Sequence, residues 1–177
     1  MTRLCRNLLA SALVLGHLPI SLASTTLYVN GASGSDTNNC ISVQTACKTI
    51  GHAISVASSG DSIIVAAATY IEHLAIGFSL NLIGSGASTT IIDGGYANSV
   101  VTISSASADV GISNVTITHG RGQYGAGIYN NGTLTINSSS IHVAGRRRWA
   151  IFECLAMTRR LKYKTSPATN KEFTIWG

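Results

Sequence analysis

The side chains that could transfer protons in this chain are few and scattered. General acid–base catalysis requires such groups to converge on one position of a substrate. The string Thr118-His119-Gly120-Arg121 is the one local combination of an imidazole with a guanidinium. Asp93 precedes two glycines and is typical of a turn. Asp93, His119 and Arg121 are therefore weak catalytic candidates, and no residue is assigned a catalytic role.

The remaining polar residues predict no metal or cofactor site. The sequence contains no Asp-Asp pair, and the other aspartates are Asp36, Asp61 and Asp109. His52, His73 and His142 stand alone, without the spacing of metal ligands. We therefore expect no metal and no cofactor, with calcium as an exception if the protein were a lyase.

The N-terminus has the pattern of a secretory signal. Arg3 and Arg6 precede a largely apolar stretch from Leu8 to Leu22. Ser21-Leu22-Ala23 offers small residues at the two positions that a signal peptidase reads. We predict a signal peptide over residues 1–23 and a secreted, cell-surface or outer-membrane protein. No integral membrane segment is expected after its removal.

Export to an oxidising compartment would favour disulfide formation by the cysteines. Cys40 and Cys47 lie seven positions apart in a polar, turn-rich segment. In an oxidising compartment we expect them to form a disulfide. A metal site would need more ligands than this segment offers. Cys154 is left without an obvious partner.

A short stretch of the chain copies itself. Ile112-Ser-Asn-Val-Thr-Ile117 reappears as Ile136-Asn-Ser-Ser-Ser-Ile141, displaced by 24 residues. Short β-rich units at such a period are typical of a solenoid, in which each unit buries its apolar face against its neighbours. Between residues 62 and 141, short runs of β-branched residues alternate with Gly, Asn, Ser and Asp, which predicts strands joined by tight corners.

One segment differs from this pattern. Ile50, Ala53, Ile54 and Ala57 have the spacing of an amphipathic helix over residues 48–58, with Gly60 placed to end it. Because the first coil of a solenoid exposes an apolar end, we interpret this helix as its N-terminal cap. The corners between strands often need a left-handed backbone. The residues predicted for such turn or ladder positions are Asn114, Asn130, Asn131, Asn137, Gly125 and Gly127.

These segments resemble a known superfamily. Gly60-Asp-Ser-Ile-Ile-Val-Ala-Ala-Ala-Thr-Tyr70 and Gly125-Ala-Gly-Ile-Tyr-Asn130 are similar to rungs of secreted bacterial right-handed parallel β-helix proteins of the pectate-lyase-like superfamily. Within it, the chain most resembles repeat-rich surface proteins of the choice-of-anchor and polymorphic outer-membrane-protein types. The resemblance covers roughly residues 26–144 and implies an all-β parallel β-helix with a short N-terminal capping α-helix.

The resemblance implies two classes of function. Many relatives are surface proteins without known catalysis, so the first expectation is a secreted or surface structural or adhesive repeat protein. Its partners would be polysaccharide or other cell-surface ligands, and no nucleic acid. The superfamily also contains polysaccharide lyases and glycoside hydrolases, which form the alternative. His119 and Arg121 resemble elements of the polygalacturonase site, but the partners of those elements are missing.

The composition changes near Gly145. Residues 24–144 hold two basic and five acidic residues, whereas residues 145–177 hold eight basic and two acidic ones. The run Arg146-Arg147-Arg148 falls where relatives have a glycine run, so we interpret residues 145–177 as a basic non-repeat tail of a truncated or frame-shifted reading frame. One observation argues against a frame shift: Ala150-Ile-Phe152 lies at the position where the next rung of the repeat would start. A purposeful tail that binds an anionic surface is the alternative.

Overall fold

The structure is a computed structural model that describes residues 23–122, 125–143, 151–153, 164–165 and 172–175. The predicted signal peptide, except for Ala23, lies outside the described residues. Three parallel sheets run the length of the molecule, and the chain visits them in the same order on every turn. This arrangement is the right-handed parallel β-helix that the resemblance implies, and a solenoid as the repeat predicts.

Sheet A is the most regular of the three. Its strands, in spatial order, are β1 (Thr26–Val29), β2 (Ser62–Val65), β5 (Leu80–Gly84), β8 (Asp109–Ser113) and β11 (Thr133–Asn137). Neighbouring strands are parallel and pair without a shift, so that Ile112 lies directly beside Ile136. The 24-residue repeat of the sequence is therefore one turn of the solenoid.

Sheets B and C complete each turn. The parallel part of sheet B contains β3 (Ala68–Ile71), β6 (Thr90–Asp93), β9 (Thr116–Gly120) and β12 (Ser139–Val143). Sheet C contains β4 (Leu74–Ile76), β7 (Val101–Ile103), β10 (Ile128–Asn130) and β13 (Ile151–Glu153). We call each succession of one A, one B and one C strand a coil, and number the four coils from the first, which begins at β2.

The core is a set of apolar columns inside the triangle of sheets. Alternate residues of each strand point inward, because side chains on a strand alternate between its faces. In sheet B the column is Ile92, Ile117 and Ile141, all of which are fully buried. Each apolar side chain thus packs against its equivalents on neighbouring coils, which explains why β-branched residues recur.

A helix closes the N-terminal end. Helix α1 (Ile50–Val56) buries Ile50, Ala53 and Ile54 against the first strands. Its first two N–H groups, on Ile50 and Gly51, donate to the carboxylate of Glu72 in the first coil at 3.0 and 2.8 Å. The cap is thereby held to the coil beneath it by charged hydrogen bonds, which are stronger than neutral ones.

The helix is shorter than the sequence predicts. Ala57 has an extended backbone, so α1 ends at Val56 instead of residue 58. Gly60 is left-handed, with φ of 95°, but it lies in the turn before β2, where its N–H donates to the Ser79 carbonyl. Among the described residues, no helix is long and apolar enough to cross a bilayer.

The predicted disulfide between Cys40 and Cys47 is present. Cys47 forms an isolated parallel bridge with Val29, so the segment that carries it adds to the outer edge of sheet A. The disulfide therefore fastens the loop that covers the first strand of the solenoid.

Three short strands lie in the described parts of the chain after residue 144. Strand β13 pairs in parallel with β10, so the coil pattern continues to Glu153. Strands β14 (Lys164–Thr165) and β15 (Glu172–Ile175) then pair antiparallel, β15 with β12 and β14 with β15. The interpretation of this region as frame-shifted stays a prediction.

Candidate binding groove and the Asp93–His119 pair

The outer face of sheet A forms a shallow groove of about 590 Å³, lined by polar residues together with Ile83 and Ile112. It runs across coils two to four, because its lining comes from β5, β8 and β11 and the residues just before β5. Asn81, Gly111 and Thr135 stand side by side in one row, and Ile83, Ser113 and Asn137 in the next. The groove therefore presents polar groups in register across three coils.

Strand alternation and one glycine create this surface. The residues that alternate with those of the groove include Leu82, Val110 and Ile136, which fill the core. At Gly111 a β-carbon would lie 2.5 Å from the Asn81 side-chain oxygen, so the absence of a side chain lets that amide lie across the groove floor. The sequence gives no motif for this site, and the outward positions of the repeats were its only signal.

The chemistry of the groove is hydrogen bonding. Among the described residues that line it, Asp109 has the one ionisable side chain, and the main-chain N–H of Asp109 donates to Ser79 Oγ at 2.9 Å. The other polar lining groups are hydroxyls and amides. A calcium site of the lyase kind takes several oxygen ligands, usually including carboxylates, and this lining offers one carboxylate. The groove is thus suited to binding neutral polar ligands.

A second polar feature lies at the corner after sheet B. His119 Nδ1 is 2.8 Å from Asp93 Oδ2, and Asp93 Oδ1 accepts a hydrogen bond from the Gly95 N–H at 2.8 Å. The Tyr96 ring lies against the His119 imidazole with centroids 4.4 Å apart. The structure therefore brings together two of the three weak catalytic candidates on neighbouring coils, with Tyr96 as a neighbour that sequence reasoning missed.

The third candidate, Arg121, follows two residues later. Its main-chain N–H donates to the Asn98 carbonyl at 3.0 Å, so the two loops lie one above the other. The backbones of Tyr96 and His119 are both left-handed, with φ of 60° and 55°. Such conformations are uncommon outside glycine and cost roughly 1–3 kcal/mol where the surroundings impose them. They fix the imidazole–carboxylate contact from the main chain.

Asp93 is held in its ionised form by these contacts. Burial works against ionisation, but the hydrogen bond from Gly95 and the contact with His119 outweigh it and lower the pKa of Asp93. The folded protein therefore binds the Asp93 proton more weakly than the unfolded chain does. Asp93 contributes stability above its unfolded pKa of about 3.9, and loses it as the pH falls through the folded pKa.

We expect Asp93→Asn to lower the free energy of unfolding at pH 7 and to have a smaller effect near pH 2. The reason is that the wild-type carboxylate takes up a proton, and loses its advantage, as the pH falls through its folded pKa. Urea unfolding of both proteins at the two pH values measures this difference. Equal shifts of the midpoint at both pH values would show that the charge of Asp93 contributes nothing.

The predicted turn residues occupy several kinds of position. Asn114 and Gly125 have left-handed backbones, with φ of 58° and 60°. Asn130, Asn131 and Asn137 do not have left-handed backbones. At the corner after Asn137 the left-handed residue is Ser138, with φ of 48°. Instead, the buried Asn130 ends β10 and its amide bonds to both the N–H and the carbonyl of Gly132.

The amide of Asn130 bonds to the main chain and not to an amide of the preceding coil. The neighbour of Asn130 on the preceding coil is Ile103, so no amide lies beside it there. Asn137 ends β11, and its carbonyl accepts from the Asn114 N–H at 3.2 Å, which links these two positions through the main chain. Gly127 has no side chain, and its carbonyl accepts a hydrogen bond from the Val101 N–H.

Comparison with known proteins supports the fold and goes no further. No family model matches the chain, and no curated protein is significantly similar to it. Among solved structures, pectin methylesterase PemA from Erwinia chrysanthemi superimposes with a TM-score of 0.53 over 75% of this chain, at 16% identity. The match covers 46% of that protein, so the chain spans less than half of its length. At this identity the likeness concerns architecture alone, and it agrees with the parallel β-helix described above.

Proposed function

We propose that the chain is a non-catalytic β-helix repeat protein of the bacterial exterior, which binds polysaccharide along the outer groove of sheet A. The observation that carries this proposal is the groove lining, which combines hydroxyls, amides and one carboxylate without a described basic group. Such a lining can hydrogen-bond to a ligand, but it does not supply the acid and the base that hydrolysis or elimination needs.

The geometry of the groove suits an extended, hydroxyl-rich polymer. Strands of neighbouring coils lie about 4.8 Å apart, so the two rows of outward residues repeat at that interval along the solenoid. A ligand that lies along the axis meets a polar side chain on each of the three coils: Asn81, then Ser113, then Asn137. Polysaccharides offer hydroxyls at every residue and match this repetition.

Two features support a location outside the cytoplasm. The Cys40–Cys47 disulfide is of the kind that persists in oxidising compartments. The predicted signal peptide over residues 1–23 provides the route. Secretion or display on the surface or outer membrane is part of the proposal.

The alternative is an enzyme, a polysaccharide lyase or glycoside hydrolase, and the Asp93–His119 pair favours it. The contact between Nδ1 and the carboxylate fixes the ring orientation and leaves Nε2 as the nitrogen that would face a substrate. However, this corner follows sheet B, whereas the groove lies on sheet A. The pair therefore lies on a different sheet from the groove that we propose binds the ligand.

Incubation with pectin, with and without calcium, separates these two functions. The proposed function predicts that neither unsaturated ends, which a lyase creates, nor reducing ends, which a hydrolase creates, accumulate. Release of either product that is lost in His119→Ala would establish the enzymatic alternative.

We expect Thr135→Lys to weaken binding of the polymer in the groove, because the long side chain fills the space between the two rows. Affinity electrophoresis in gels that contain a soluble neutral β-glucan measures the retardation. Thr102→Lys is the matched control, since Thr102 lies on β7 of sheet C and outside the groove. We expect at least about a tenfold loss in affinity from losing roughly 1.4 kcal/mol of contacts. Equal retardation of both variants and wild type would show that the polymer does not bind in the groove.

A further inference from the structure

The disulfide has a third potential metal ligand beside it, which the sequence did not reveal. The Sγ atoms of Cys40 and Cys47 and a ring nitrogen of His52 all lie within 4.8 Å of one another. Both cysteines are fully buried and His52 is half-buried. His52 stands five residues after Cys47, but the turn into helix α1 brings its ring back over the disulfide.

Each of the three residues is positioned by main-chain contacts of its own. The Cys40 carbonyl accepts from the Tyr28 N–H at 2.7 Å, and the Cys47 N–H donates to the Tyr28 carbonyl at 2.9 Å. The His52 N–H donates to Thr49 Oγ1, the N-cap of α1, at 3.2 Å. These bonds do not involve the sulfur atoms, so the arrangement does not depend on the S–S bond alone.

The loop before the helix is also held independently. Asp36 accepts hydrogen bonds from the Lys48 and Thr49 N–H groups and from the Thr49 hydroxyl, between 2.8 and 2.9 Å. Although burial opposes ionisation, these bonds lower the pKa of Asp36. The carboxylate therefore fixes the start of α1, and with it the position of His52.

We propose that Cys40, Cys47 and His52 bind one thiophilic divalent ion, such as zinc, when the disulfide is reduced. Two thiolates and an imidazole are a common zinc ligand set, with water in the fourth position of a tetrahedral site. Bonds of about 2.3 Å from zinc to sulfur place two tetrahedral ligands roughly 3.7 Å apart. The three atoms therefore need to move by small amounts, mainly through separation of the two sulfurs.

The two states of the site differ by two electrons. An added dithiol reduces the Cys40–Cys47 bond by donating two electrons and two protons. The reagent becomes a disulfide, and the protein is left with two thiols. Binding of the ion forms two sulfur–metal bonds and one nitrogen–metal bond and releases the two thiol protons. In either state the loop that covers the first strand of the solenoid is crosslinked. The S–S bond crosslinks it in the oxidised protein, and the metal ion crosslinks it in the reduced protein.

Cobalt(II) reports the site directly, because thiolate ligands give it a charge-transfer absorption. The experiment uses the full chain with Cys5→Ser and Cys154→Ser, so that Cys40 and Cys47 are the remaining thiols. The protein is reduced with dithiothreitol, which is then removed without air, and titrated with cobalt and afterwards with zinc. We expect one cobalt per chain with a thiolate band, displacement by zinc, and no band from the oxidised protein.

Two histidine variants decide whether His52 is a ligand. We expect His52→Ala to weaken the affinity for cobalt by more than about tenfold, since even loss of an outer-shell partner costs that much. His73→Ala is the matched control and should bind as the parent does, because the His73 ring contacts the Ser99 carbonyl of the second coil. The proposal fails if the two variants bind equally, if no thiolate band forms, or if it forms only after the β-sheet circular dichroism is lost.

Discussion

Gly84→Ala is expected to destabilise the β-helix by about 3 kcal/mol or more, a loss at the upper end for single substitutions. A β-carbon at this position would lie 2.2 Å from the Asn114 carbonyl oxygen and 2.7 Å from a methyl carbon of Val115. The obstacle is largely the backbone of the next coil, which cannot rotate away as a side chain can. To admit the methyl group, coils two and three must separate where β5 and β8 pair.

Gly77→Ala is the matched control for this substitution. The nearest atom to a β-carbon there is Ser104 Oγ at 3.9 Å, an ordinary contact, and Gly77 is exposed. We expect its effect to stay within about 0.5 kcal/mol, as for most surface changes. Urea unfolding followed by circular dichroism compares the two variants with wild type. Similar midpoints for both variants would contradict the close approach of the coils at Gly84.

Ile117→Ala is expected to lower the free energy of unfolding by about 3 kcal/mol, within the range of roughly 2–5 kcal/mol for buried isoleucine. Ile117 is fully buried in the middle of the sheet B column, between Ile92 and Ile141. Truncation leaves a cavity between two coils, and it also removes the contacts on both sides of the column. Because each coil is stabilised by its neighbours, the loss affects more than one coil.

Ile71→Ala tests the same change of side chain on the other face of sheet B. Ile71 ends β3 and is 75% exposed, so its truncation removes little buried surface. We expect a change of less than about 0.5 kcal/mol. Urea midpoints measured in parallel provide the comparison. If the two variants lost stability equally, the apolar column would not be the main source of stability in this sheet.

The repeat made the fold predictable, because it acts through the core. Ile112 and Ile117 lie beside Ile136 and Ile141 in the structure, so the 24-residue displacement identified residues in neighbouring coils. The disulfide was predictable for a similar local reason, since a short polar segment with two cysteines allows few alternatives. The cap was predictable from the helical spacing of its apolar residues, although its last residue was not.

The candidate sites were less predictable, because coil length varies. From Ile63 to Leu82 is 19 residues, from Leu82 to Ile112 is 30, and from Ile112 to Ile136 is 24. A fixed period therefore fails to align the first coils with the later ones. By strand register Asp93 lies beside Thr118, and the left-handed backbone of His119 is what returns its ring to Asp93. No spacing rule predicts such a turn.

The proximity of His52 to the disulfide was missed for a different reason. Sequence spacing treats residues 40, 47 and 52 as points along a line, whereas the bridge at Cys47 and the first turn of α1 fold that line back on itself. The groove was missed because its polar side chains are ordinary for exposed strand positions. Only the register of β5, β8 and β11 shows that they form one surface.

The direction of the hydrogen bonds between coils has a mechanical consequence. Strands pair with their equivalents on the next coil in all three sheets, so these bonds run along the axis of the solenoid. A pulling force applied along that axis stretches them, and the coil at an end can detach before its neighbour is loaded. Extension would therefore proceed by successive peeling of coils, each releasing a length of chain and dissipating work. Tension along the axis is thus released one coil at a time, while the coils further from the end stay paired.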